Sequence, residues 1–189
     1  MSNSSGNSRK DPGNIALQWW QELRPQEAGD TAHRGDPAAL ARLRRAATPV
    51  EALTEASAIR LARRLGITPD RPDQLARIGA IAAVLAHVRT HDDGGQKVAR
   101  RLGPQKKDEP GVMSALRFQR LMAAETAEDL MRQMRNAVKL LQGKADVADI
   151  ARSMFWWNEA TRIRWIYDYH NAGDAAPEIS NDQQRETIS

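Results

Sequence analysis

The stretch TAEDLMRQMRNAVKLLQG, residues 126–143, reads as one helix from cap to stop. Thr126-Ala-Glu-Asp129 is a capping signal, and Gly143 is a residue that ends helices. Leu130, Met134, Val138 and Leu141 recur at helical spacing and face inward. Arg132, Arg135 and Lys139 form a basic stripe at i, i+3, i+7 opposite that seam. The stretch poses two questions: what the seam packs against, and what the stripe is for.

The neighbours read the same way. Ser114 caps a helix with Phe118, Leu121 and Met122 inward. Asp146 caps another, with Val147, Ile150 and Met154 inward. The next stretch, FWWNEATRIRWIYDYH (155–170), holds six of the nine aromatics. Aromatics interleaved with arginine suit a base-stacking surface or a bundle core. On a wheel over Asn158 to His170, Ala160, Ile163, Tyr167 and His170 share one face. Trp165 and Tyr169 form a second stripe, and Ile166 bridges the two. That pattern predicts a mostly buried helix, with Trp157, Trp165 and Tyr169 in core or interface. Arg162 falls inside the apolar arc. It either pairs with an acid such as Asp146 or Asp149 or points into a ligand groove. Short connections make these four helices an antiparallel bundle over residues 112–171.

Upstream, residues 1–13 are Ser/Asn/Gly-rich and read as disordered. Asn14 is the expected cap of a helix carrying Ile15, Trp19 and Leu23, ended by Pro25. Asp36-Pro37 opens a helix to about Ala47. Thr48-Pro-Val-Glu51 is a capping box opening a helix to Leu65, with Gly66 as the stop. From Pro72 to Val88 the chain is apolar nearly all round, which predicts a central helix. THDDGG breaks it, a short basic helix follows from Lys97 to Leu102, and GPQKKDEPG (103–111) is loop. The predicted fold is all-α: an N-terminal helical subdomain over 14–111, the four-helix bundle over 112–171, and an acidic flexible tail over 172–189.

The 189-residue chain has no cysteine, which excludes disulfide scaffolds and Cys-based zinc sites and fits a reducing, cytoplasmic setting. No apolar run approaches a membrane span, and the N-terminus lacks the apolar core of a signal peptide. Charge is unevenly placed. Residues 34–101 carry 13 basic and 7 acidic side chains, net +6, while 1–33 and 102–189 are each net −1. A local basic field of this kind suits a polyanion, or a solvated arginine-rich surface.

Catalytic signals are weak. His87, His91, Asp92 and Asp93 resemble part of a metal phosphohydrolase site, with His87 and His91 one helical turn apart. The same residues are ordinary at a helix end followed by a turn. No P-loop, nucleophile elbow or cofactor motif is present, and an enzyme is the weaker reading.

The arginine clusters carry more. Arg42, Arg44 and Arg45 sit on one helix, and Arg60, Arg63 and Arg64 on the next. Arg100, Arg101, Lys106 and Lys107 lie in an acid-free run. Arg117 and Arg120 precede the stripe of Arg132, Arg135 and Lys139. Acidic partners at helical spacing are few, so these stripes suit a sugar-phosphate backbone bound without sequence preference. An alternative is an assembly module whose arginines meet acidic protein faces.

RGDPAALARLRRA (34–46), SALRFQRLMAAETAEDLMRQMRNAVKLL (114–141) and the W…RIRWIYDY ending (157–169) resemble the CasB family. This is the small subunit of Cascade, the type I-E CRISPR effector complex. The resemblance runs in order over residues 15–170. It implies an all-helical, non-catalytic protein, present as two copies, that contacts backbone subunits, the large subunit, crRNA and target DNA. Its role would be to stabilise the R-loop in antiviral defence: the crRNA–target heteroduplex and the displaced strand. Carried over by position, the contact residues are Arg34, Arg42, Arg44, Arg45, Arg117 and Arg120. Charge adds Arg63, Arg64, Arg100, Arg101, Arg132, Arg135 and Lys139.

Overall fold

The computed structural model describes residues 11–25, 35–106 and 109–172. Among them the fold is all-α apart from one pair of two-residue strands. The helices are α1 (Pro12–Leu23), α2 (Pro37–Arg45), α3 (Pro49–Leu53), α4 (Ala56–Arg64), α5 (Pro72–Leu85) and α6 (Val98–Leu102), then α7 (Ala115–Met122), α8 (Ala127–Leu140), α9 (Val147–Phe155) and α10 (Glu159–His170). Strand β1 (Thr90–His91) pairs in parallel with β2 (Lys144–Ala145). The all-helical reading did not contain this bridge. It is too short for any period-2 signal, and the Gly143 carbonyl anchors it by accepting from the Arg89 and Thr90 N–H groups.

Local chemistry sets the helix starts. The side chains of Asp36, Thr48, Thr126, Asp146 and Asn158 each accept from the backbone N–H three residues on. Asp11 does the same for Asn14, so α1 starts at Pro12 rather than at Asn14. Asp11-Pro12 is the same cap-plus-proline pair as Asp36-Pro37. The helix expected from Thr48 to Leu65 is two. The Thr54 hydroxyl donates to the Glu51 carbonyl at 2.7 Å, and the chain turns there before α4. Gly66, at φ +69°, closes α4 as the left-handed residue of a Schellman motif, with the Ile67 N–H donating to the Ala62 carbonyl.

Helix α5 is the axis of the fold. Its residues Ile78 through Leu85 are all buried, and α3, α4, α8 and α9 all pack on it. A helix apolar on every face needs neighbours all round, and α5 takes them from both sides of the 103–111 loop. The most extensive helix pair, α1 with α9, also crosses that loop, and one contiguous core results. The last four helices therefore do not close chiefly on one another. They meet through aromatic side chains: Phe118 stacks on Tyr169 at 3.9 Å, and Trp157 sits edge-on to Trp165 at 5.5 Å. Helix α10 is less buried than its wheel predicts. Trp165 and Tyr169 are inside, whereas Ile163, Ile166 and Tyr167 are exposed.

Candidate nucleic-acid interface

Many of the arginines hold the fold together, which the stripe pattern did not reveal. The last carbonyls of a helix lack intrahelical donors and carry its negative dipole end, where a guanidinium is favoured. Arg135 donates to the Leu43 and Ala46 carbonyls, closing α2. Arg44 donates to Ala86 and Arg24 to Val88, just past α5. Arg77 closes α9 through Met154 and Trp157. Arg162 donates to Met122 at the end of α7, so it takes neither of the roles expected for it.

Two of these capping arginines also line a cationic groove of about 450 Å³ between α2, α8 and the turn after α5. Arg44, His87, Arg89, Arg135 and Lys139 line it, and no carboxylate does. The Arg135 Nε and the His87 Nε2 are buried without a hydrogen-bond partner. Burial, with the Arg135 and Arg44 charges behind it, holds the His87 imidazole below its usual range, against a weaker pull from the Arg44 backbone. A concavity lined by four permanent cations, with the buried Arg135 Nε–H left unpaired, suits an anion.

The sequence-predicted contacts divide by environment. Arg44, Arg135 and Lys139 meet in the groove, joined by Arg89. Sequence reasoning missed Arg89, a single arginine at the end of an apolar run and outside any basic stripe. In the fold Asp92 pairs with Arg101 at 3.2 Å and Lys144 at 3.5 Å. Arg42 pairs with Glu55 at 2.7 Å, and Arg64 forks onto Glu22 of α1. Arg132 pairs with Asp129. Arg45, Arg63, Arg117 and Arg120 are exposed and make no ion pair among the described residues. Arg100 is half-buried near Asp168. Arg34 and Lys107 lie outside the described residues.

The His/Asp cluster does not assemble as a metal site. Helix α5 ends at Leu85, so His87 and His91 share no helical face. The His91 Nδ1 accepts from the Val147 N–H at 3.2 Å. Among the described residues no group of three His, Asp or Glu converges as a ligand set. No described helix is long and apolar enough to cross a membrane.

Comparison with known proteins places these features in a family. Residues 39–170 match the family described as CRISPR-associated protein Cse2. No curated protein sequence matches the chain. Among solved structures, the fold is similar to a chain in the crystal structure of E. coli Cascade bound to a PAM-containing double-stranded DNA target. The two are 22% identical with a TM-score of 0.59, over 84% of this chain and 95% of that one. The match spans most of the described helices, and the chain belongs to the Cse2 family, the small (CasB) subunits of the type I-E CRISPR complex Cascade.

Proposed function

We propose that this chain is a non-catalytic subunit that binds the sugar-phosphate backbone without reading bases and stabilises the R-loop formed by its complex. The observation that carries the reading is the groove of Arg44, Arg89, Arg135 and Lys139, free of carboxylates and holding unpaired buried nitrogens. R-loop formation exchanges one duplex for another of similar stability, so a few backbone contacts can tip it. Its ligands would be crRNA–target heteroduplex or displaced strand. Its protein partners would be the backbone and large subunits and a second copy of itself. The exposed Ile163, Ile166 and Tyr167 of α10 favour a protein neighbour on that side.

Salt dependence of DNA binding tests the reading. Arg89→Ala with Lys139→Ala should lower the slope of log affinity against log salt by about one unit per lost phosphate contact, equally across sequences. An unchanged slope, with normal incorporation into the complex, leaves the protein as an assembly module only.

A further inference from the structure

A cavity of about 720 Å³ lies at the other end of α5 from the cationic groove. At 1.5 Å per residue, the 14-residue helix separates them by about 20 Å. Ile15, Ile67, Phe155 and Trp156 give the cavity an apolar wall, and Arg64, Arg71 and Arg77 rim it beside one acid, Asp73.

Trp156 is the unexplained residue there. The chain has five tryptophans, and four are buried with their indole N–H satisfied. Trp19 donates to the Ser57 carbonyl, Trp20 to Leu85, Trp157 to Ala124 and Trp165 to the Ser153 hydroxyl. Trp156, by contrast, is 55% exposed. It is not loose. Its backbone N–H donates to the Arg152 carbonyl, and its backbone carbonyl accepts from the Asn158 N–H at 2.8 Å and the Thr161 hydroxyl at 2.5 Å. The Phe155 ring meets the indole edge-on at 4.7 Å. An exposed indole on a fixed backbone, edged by the Phe155 ring, offers a flat face at the cavity.

The cations around it differ in freedom. Arg64 is forked onto Glu22, and Arg77 is committed to the carbonyls of Met154 and Trp157. Arg71 is exposed and makes no ion pair within contact distance among the described residues; Asp70 acts on it only at longer range. An aromatic platform beside a free guanidinium suits a ligand with a planar ring and an anionic group on one frame. An unpaired nucleotide has both.

We infer that the cavity is a stacking site for one unpaired nucleotide of a single strand, with its base on Trp156 and its phosphate on Arg71. The class of ligand rests on the nucleic-acid reading above, whereas the site itself is separate from the groove. Duplex bases are stacked on each other and cannot use it, so the site favours single strands over duplex.

The test uses the full chain and two probes, a thymidylate dodecamer and thymidine monophosphate, with a hairpin duplex closed by a non-nucleotide linker as control. Trp156→Phe assigns the Trp156 indole N–H resonance by its loss from the five. The dodecamer should shift that resonance and leave the buried four nearly still. Trp156→Ala should weaken dodecamer binding about tenfold, Trp156→Phe much less, and neither should change hairpin binding. A response to the monophosphate alone makes the site one for free nucleotides and overturns the single-strand assignment. A still Trp156 resonance, or equal losses for dodecamer and hairpin, overturns the stacking site. If hairpin binding with its groove dependence survives that outcome, the function proposed above stands. Melting curves of both variants check the fold, and Arg71→Ala gives a second route should Trp156→Ala unfold.

Discussion

Asp11 and Arg152 face each other across 141 positions of sequence, with the Arg152 Nε donating to the Asp11 Oδ1 at 2.8 Å and a second guanidinium bond beside it. The same carboxylate caps α1 through the Asn14 N–H. One side chain therefore starts the first helix and fastens it to the ninth. Arg152 holds the Asp11 carboxyl below the usual carboxylate range. A depressed carboxyl contributes stability present above its unfolded pKa and lost as pH falls through its folded one. Asp11→Ala should cost about 1–2 kcal/mol at neutral pH, and Asp11→Asn less, since it keeps the cap. Denaturant melts at pH 7 and pH 3 should show the Asp11→Asn difference shrinking in acid.

Gly79 sets how closely α3 crosses α5. A Cβ there would lie 2.2 Å from the Pro49 carbonyl oxygen, which is backbone and cannot step aside. Gly79→Ala should cost about 1–3 kcal/mol by overpacking, despite the better helix propensity of alanine. Gly66→Ala, where a Cβ would meet nothing within 4 Å, separates steric from conformational cost. Its loss should come from the left-handed φ alone, about 1 kcal/mol. Equal losses for both would mean the α3–α5 crossing yields to a methyl group.

The element pattern was legible because caps and stops act over three or four residues. Thr126, Asp146 and Gly143 do what their sequence positions imply. What was not legible lies across the fold. Arg132 and Arg135 are three apart and look alike in sequence. Yet Arg132 stays on the surface beside Asp129, and Arg135 reaches under α2 to its carbonyls. Likewise Glu22 is remote from Arg64 in sequence and adjacent to it in space. Trp165 and Ile166 show the same limit: a wheel counts apolar faces but not the neighbours available to cover them.

Arg135 and Lys139 both line the groove, and they should separate on stability. Arg135→Ala removes both α2 carbonyl contacts and should cost about 2 kcal/mol along with binding. Lys139→Ala should lose binding with an unchanged melting temperature. Arg135→Lys keeps the charge but not the two-pronged donor, so it should restore binding more than stability. If Arg135→Ala is as stable as the parent, the carbonyl contacts are incidental.

His87 reports on the groove by titration. In the free protein, burial and two neighbouring arginines disfavour its imidazolium. The unfolded chain then binds its proton more readily. Stability should fall as pH drops through the unfolded value near 6.5 and level off below the folded one. His87→Gln should remove that part of the slope. Phosphates arriving among Arg44, Arg89, Arg135 and Lys139 reverse the sign of the local field. The imidazolium becomes favoured, and the His87 pKa rises on binding. Linkage then requires binding to tighten as pH falls, by up to tenfold for each unit of rise. An NMR titration of His87 with and without a DNA hairpin measures the shift directly. The same pKa in both states would place the polyanion elsewhere, on the exposed arginines of α7 or α4 rather than in the groove.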